Sequence, residues 1–136
     1  MAVLETTFVI DLMKESKRGR PGPASQKLQE LTDRGEVLQI AIFTLAELFV
    51  GVAKGALPRQ ERTAIEQCVA AFEVLPFERS TAEIFGSIVG GLEKQGQSIS
   101  DIDALIGSVA LEHAEVLVTR NRKHFERIPG LRIEGY

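Results

Sequence analysis

Short apolar runs, separated by stretches of helical periodicity, restrict what this chain can fold into more than any other feature. Residues 1–4, 37–42, 73–77 and 116–118 read as strands, and 131–133 as a candidate fifth. The run at 37–42 is apolar at most positions, as expected of a parallel strand covered on both faces. Between the runs, apolar residues recur at helical spacing. Thr7 reads as the cap of a first helix carrying Phe8, Val9, Ile10, Leu12 and Met13. A polar helix at 24–34 ends at Gly35. Helices at 44–52, 59–72, 80–94 and 100–113 follow. The Gly-, Pro- and Arg-rich stretch 16–23 reads as a loop. Gly86, Gly90 and Gly91 interrupt the fifth helix and suggest close helix packing there. Strands alternating with helices predict an α/β domain, with a mostly parallel central sheet of about four to five strands and helices on both faces.

At 136 residues the chain fits one domain, residues 1–136. It should bury roughly two-thirds of its unfolded surface. A net charge of -3 offers nucleic acid no global attraction, so any such contact needs a local basic patch. One cysteine, Cys68, excludes an intrachain disulfide framework and a cysteine-based zinc site. Beside Ile65, Val69 and Phe72 it reads as a buried structural thiol. No apolar run approaches the ~18 residues of a membrane span, and no signal peptide is evident. A cytoplasmic protein is expected.

In a parallel α/β sheet, strand C-termini and helix N-termini share one edge, where ligands bind. Five polar residues map to that edge. Glu5 ends the first strand, Glu47 opens the helix after the second, Asp101 and Asp103 open the helix before the fourth, and Asn121 follows the fourth. Individually, each has a structural reading, that of Glu5 being a strand-end charge in water. Thr44 to Glu47 matches a capping box, Ser100 could cap a helix whose dipole favours Asp101 and Asp103, and Asn121 could support a turn. Capping explains neither Glu5 nor Asn121. Carboxylates about 5 Å apart repel by roughly 3 kcal/mol per pair at an effective dielectric near 20, so such a cluster calls for a cation. An oxygen-only donor set favours Mg²⁺ or Mn²⁺ over zinc. Such an ion supports phosphodiester hydrolysis without a protein nucleophile.

Four stretches carry a family resemblance. They are Leu4-Glu5-Thr6-Thr7-Phe8-Val9-Ile10-Asp11-Leu12, Thr44-Leu45-Ala46-Glu47-Leu48, Ile99-Ser100-Asp101-Ile102-Asp103-Ala104-Leu105-Ile106-Gly107 and Val118-Thr119-Arg120-Asn121-Arg122-Lys123-His124-Phe125. In this order and spacing the chain resembles the PIN-domain ribonucleases, and among them the VapC-type toxins of toxin–antitoxin pairs. The resemblance implies a PIN-like fold and a metal-dependent endoribonuclease. Glu5, Glu47 and Asp103 would stand at the three main acidic positions, with Asp101 an additional carboxylate and Asn121 near a fourth. Thr6 and Thr119 would line the site as hydroxyls. It also implies an RNA substrate, homodimers and a cognate antitoxin that plugs the site. The departure is Glu5, where the family has Asp; the longer side chain reaches about 1.5 Å further.

Arg120, Arg122, Lys123, His124 and Arg127 form a basic run beside the expected site, suited to RNA phosphates or to solvent. His124 reads as a surface histidine, His113 as a helix-end residue, and Asp11 as outside the site. Lys17, Arg18 and Arg20 form a second, solvated patch. The apolar face Leu45, Leu48, Phe49, Val52 suits either core or a dimer surface. The leading reading is therefore a Mg²⁺- or Mn²⁺-dependent endoribonuclease. The runner-up is a PIN-like module that binds RNA or protein but is catalytically weakened by Glu5. An aspartyl-nucleophile phosphatase fits poorly, since Glu5 stands where that chemistry needs Asp.

Overall fold

A computed structural model describes residues 1–113 and 115–136. Its sheet contains β1 (Ala2–Leu4), β2 (Leu38–Ala41), β3 (Glu73–Leu75), β4 (Val116–Val118) and β5 (Arg132–Glu134) in the order β3-β2-β1-β4-β5. All four pairings are parallel. The helices are α1 (Thr6–Arg18), α2 (Pro23–Asp33), α3 (Ile42–Lys54), α4 (Pro58–Val69), α5 (Arg79–Lys94), α6 (Asp101–Glu112) and α7 (Arg122–Phe125). The expected α/β architecture is present. The four-residue α7 was not anticipated, because a single turn carries too few apolar positions to show a period.

Side chains alternate across a strand, and this alternation divides the core in two. Ala2, Leu4, Ile40 and Val118 face one layer, with Phe8, Val9 and Leu12 of α1, Ala24 and Leu31 of α2, Leu48 and Val52 of α3, and Ile65 of α4. Val3, Ala41, Leu75 and Leu117 face the other, with Ile88 and Leu92 of α5 and Ile106, Val109 and Ala110 of α6. The α3 face containing Leu45, Leu48, Phe49 and Val52 is thus core surface. All three residues of β1 are fully buried, as a central strand covered on both faces should be. No helix among the described residues is long and apolar enough to cross a membrane.

Several boundaries differ from the sequence reading. The first helix starts at Thr6, with Glu5 rather than Thr7 as its N-cap. It runs through Arg18, so only residues 19–22 of the expected loop lie between helices. α3 begins at Ile42 behind the cap residue Ala41. Thr44 therefore lies inside the first turn and cannot be the cap. Cys68 is half-buried rather than buried, and desolvation pushes its thiol up. Gly86, Gly90 and Gly91 do not mark helix packing: a Cβ at each would meet nothing within 4 Å. A close approach to a helix is made instead at Gly107 of α6, where a Cβ would run into the side chain of Ile128 from the segment after α7.

Glu15 fastens α1 to α2. The N-cap of α2 is Gly22, which has no side chain to offer. Glu15, 8% exposed, supplies the missing acceptor from the neighbouring helix. Its carboxylate accepts from the Gly22 (2.6 Å), Ala24 (3.0 Å) and Ser25 (2.9 Å) amides. This satisfies the free N–H groups of a helix start. A Cβ at residue 22 would lie 2.8 Å from the Glu15 carboxyl carbon, so the closeness of this cap needs glycine. Burial raises the Glu15 carboxyl, but hydrogen bonds from Ser25, Ala24 and Gly22 outweigh it and hold it below the ordinary range. Glu15→Gln, which turns a donor toward these amides, should cost about 1–3 kcal/mol in denaturant unfolding at neutral pH. Because the folded carboxyl is depressed, its contribution is complete above the ordinary glutamate range. The gap between wild type and variant should shrink as pH falls through that range and below it.

Candidate active site

The chain connects β1 to β2 and β2 to β3 on one side of the sheet, then crosses to β4 and β5 on the other. β1 and β4, neighbours in the sheet, flank the point where strand order reverses. Ligands of open α/β sheets bind beyond the C-terminal ends of strands at such a point, and the residues that follow β1 and β4 stand there.

Glu5 is the first residue after β1, and its backbone amide extends the ladder by donating to the Val118 carbonyl (3.0 Å). Its side chain is 4% exposed. Oε2 accepts from the Thr7 amide (3.1 Å), the Thr7 hydroxyl (2.5 Å) and the Thr119 hydroxyl (2.7 Å). Capping therefore does account for part of what Glu5 does, contrary to the sequence reading. The bond from Thr119, across the β1–β4 boundary, goes beyond a cap. Thr119 is fully buried and also accepts from the Asn121 amide (3.0 Å).

Glu47 makes no capping box. The Thr6 hydroxyl donates to its Oε1 (2.6 Å) and approaches the Thr44 hydroxyl at 3.2 Å, tying α1 to α3. Burial pushes the Glu47 carboxyl above its ordinary range. The Thr6 bond opposes this, and the charges of Glu5 and Asp103 add to it. Glu5 and Asp103, 98 residues apart in the chain, thus both act on Glu47 through space.

Asp103 sits in the first turn of α6, where its amide donates to Ser100 Oγ (3.2 Å), the cap foreseen from sequence. Its Oδ2 lies 3.2 Å from His124 Nδ1. His124, read as a surface histidine, is solvent-exposed but faces the acids from α7. Asp101, the first residue of α6, is exposed. Asn121 holds the N-cap position of α7 without a side-chain capping bond, so capping indeed leaves its side chain unexplained.

The basic run divides. Arg122 is committed to the Ile133 carbonyl (3.0 Å) and Arg127 to the Ser98 carbonyl. Lys123 is exposed. Arg120 is half in solvent, with Nη1 3.5 Å from Asp11 and its amide donating to Thr7 Oγ1 (3.4 Å). Asp11 also accepts from the Tyr136 hydroxyl (2.7 Å), and the Tyr136 ring packs edge-on to Phe8 at 4.9 Å. Asp11 lies apart from the acids, as expected, yet it reaches the site's rim through Arg120. Burial first, then the bond to Asp11, pushes the Tyr136 phenol up. Lys17 and Arg18 belong to the last turn of α1. That helix starts at the site and runs about 20 Å away from it, so this patch lies at the opposite edge. His113 caps the C-terminal end of α6, as anticipated. Thr7, Thr44, Asp11 and Tyr136 are neighbours of the site that the sequence did not indicate, and His124, expected beside the site as a surface residue, additionally touches Asp103. Only Thr7, two residues from Glu5, carried a local signal.

Among the described residues, no three His, Cys, Asp or Glu side chains are spaced to grip one ion directly. The donor set nonetheless suits a hard cation. Its members are carboxylates, and one of them is made basic by burial and by the charges of two others. An ion of the Mg²⁺ class keeps several waters and needs only one or two direct carboxylates.

The PIN domain family model matches residues 2–131. The chain is 32% identical over 134 residues to the tRNA(fMet)-specific endonuclease VapC of Shigella flexneri, covering 98% of this chain and 96% of that one. Among solved structures, it is similar to VapBC2 from Rickettsia felis bound to a promoter DNA fragment. That match has a TM-score of 0.90 and 27% identity, covering 99% of this chain and 98% of that one. DNA-bound VapBC from Salmonella typhimurium matches with a TM-score of 0.87 and 30% identity, covering 98% and 96%. The edge built by Glu5, Glu47 and Asp103 therefore stands on a shared fold over nearly the whole length, and the chain belongs to the PIN-domain family, in its VapC group.

Proposed function

We propose that this protein is an endoribonuclease, the toxin of a toxin–antitoxin pair, that hydrolyses RNA phosphodiesters with Mg²⁺ or Mn²⁺ held at the β1–β4 crevice. The observation that carries the reading is the gathering of Glu5, Glu47 and Asp103 at one edge of the sheet, where Glu5 is held by Thr119, Glu47 by Thr6, and both other acids help raise the half-buried Glu47 carboxyl. VapC relatives named as endonucleases or ribonucleases support it, as do the matching VapBC complexes. Those complexes also support a cognate antitoxin as the partner; a homodimer belongs to the same proposal.

Glu5, Glu47 and Asp103 would hold the ion, partly through water, with Asp101 at the rim. Bound there, the ion lowers the pKa of a water and offsets charge on the phosphodiester. The chain's own residues do the positioning. Thr7 and Thr119 fix the Glu5 carboxylate, and Thr6 aims Glu47. Asn121 lies where β4 enters α7. Arg120, pre-oriented by Asp11, and Lys123 are the side chains free to meet RNA phosphates; Arg122 is already engaged.

RNA cleavage followed with and without Mg²⁺ tests the whole reading. Asp103→Asn should lose at least ~100-fold in cleavage rate, of the order that removing one electrostatic stabiliser costs. Equal cleavage by variant and wild type would overturn it. Glu47→Gln separates stability from function. The folded carboxyl of Glu47 is raised, so its ionisation penalises the fold increasingly as pH rises through the ordinary glutamate range. At pH 7 without divalent ions, Glu47→Gln should raise the melting temperature, and near pH 4 the gain should vanish. The same variant should lose the stabilisation that Mn²⁺ gives wild type. Glu5→Asp probes the family departure. Because the Glu5 carboxylate reaches Thr119, shortening it should lower both Mn²⁺ affinity by calorimetry and cleavage. A rise in both would show instead that Glu5 weakens this site.

A further inference from the structure

The same edge of the sheet carries an aromatic pair on its β3 side that the acids and the basic run leave unused. Phe77 lies two residues past β3, and Phe43 lies in the first turn of α3 beside Thr44. Their rings meet edge to face, with centroids 5.3 Å apart and planes at 77°. Phe43 is anchored in the apolar layer that also receives Ile99 and Ile102, the residues flanking Asp101 and Asp103. Phe77 keeps 37% of its surface in water. Whichever ring supplies the edge, at least one face of Phe77 is free of Phe43.

β3 is two strands from β1, on the order of 10 Å at sheet spacing. Across the edge the order is therefore aromatic, acidic, basic: Phe77, then Glu47 and Glu5, then Arg120 and Lys123. Proteins that hold single-stranded nucleic acid pair a charged track for phosphates with an aromatic face for bases. A docked protein wants a contiguous apolar patch. Here Phe77 is flanked by the exposed Pro76, Glu78 and Arg79, and the exposed Ile42 adjoins Phe43, so charged residues interrupt the apolar surface on the side of α5. That interruption, beside the charged track, favours a base over a broad protein face.

We propose that Phe77, braced by Phe43, is a stacking subsite for one unpaired base of the RNA substrate, a nucleotide away from the phosphate held at the acids. The subsite rests on the ribonuclease reading. Phe77 is a positioning residue there and takes no part in the bond-breaking step.

The test uses the full chain carrying Asp103→Asn to prevent cleavage, with fluorescence anisotropy on a labelled single-stranded RNA of about ten nucleotides. Phe77→Ala should weaken binding roughly 5- to 150-fold, the range for loss of one base–aromatic stack. Phe77→Tyr should retain it and Phe77→Leu should not. Abasic replacement at each nucleotide in turn should find one position with a comparable loss, and that loss should disappear in the Phe77→Ala background. Should Phe77→Ala fail to fold, Phe77→Leu and the abasic scan decide. Unchanged RNA affinity in Phe77→Ala would overturn the subsite, as would an abasic scan without a coupled position. Full binding by Phe77→Leu would also overturn it, pointing to apolar contact with a partner protein. An altered oligomeric state at unchanged RNA affinity would assign the ring to a second copy and overturn it too. If the wild type neither binds nor cleaves RNA, the ribonuclease reading falls and the subsite with it. Binding and cleavage that ignore Phe77 remove the subsite alone.

Discussion

Thr119 donates its hydroxyl to Glu5 where β1 and β4 end side by side, and the site is organised around that bond. A carboxylate that is 4% exposed must find donors or give up its charge. Glu5 finds them in Thr7, from its own helix, and in Thr119, from the strand on the far side of the switch in strand order. These hydrogen bonds fix the carboxylate, and no ion pair to it is found among the described residues. Its neighbour Thr6 reaches the other way, to Glu47 on α3. Two adjacent residues thus lock two acids from two elements into one frame.

That frame stores unfavourable electrostatics. Glu47 is half-buried and feels Glu5 and Asp103, and the fold tolerates the arrangement because two packed core layers hold the backbone on either side. Contact with the acids' rim is graded. His124 touches Asp103, Arg120 is drawn off by Asp11, and Arg122 and Arg127 are tied to backbone carbonyls. The basic run is therefore not a uniform phosphate track. The charge it leaves for a ligand is that of Lys123 and, in part, of the half-exposed Arg120, on the β4 side, opposite the aromatic pair.

Much of this was legible in the residues. Short apolar runs such as Ala2–Leu4, alternating with stretches of helical periodicity, fit strands covered on both faces, so the parallel α/β class followed. Parallel strands force chain ends of one kind onto one edge, so Glu5, Glu47, Asp103 and Asn121 could be placed there without coordinates. The errors fell where local rules offered two solutions. Thr44 and Glu47 have capping-box spacing, yet α3 starts two residues earlier, and Thr6 claims Glu47. Gly86 and Gly90 have the spacing of a packing stripe, yet Gly107 is where the Ile128 side chain closes on a helix.

By itself the sequence determined the layer architecture, the functional edge and the acids that stand on it, because these follow from periodicity and from the geometry of parallel sheets. Only the tertiary structure decided which partners each acid has. Thr119 on Glu5, Thr6 on Glu47, His124 beside Asp103, and Tyr136 and Arg120 on Asp11 join residues up to 125 positions apart. No periodicity encodes such pairs, since hydrogen bonds and Coulomb forces act through space over a few ångströms. The same holds for Phe43 and Phe77, unremarkable in the chain and adjacent only once α3 and β3 are packed.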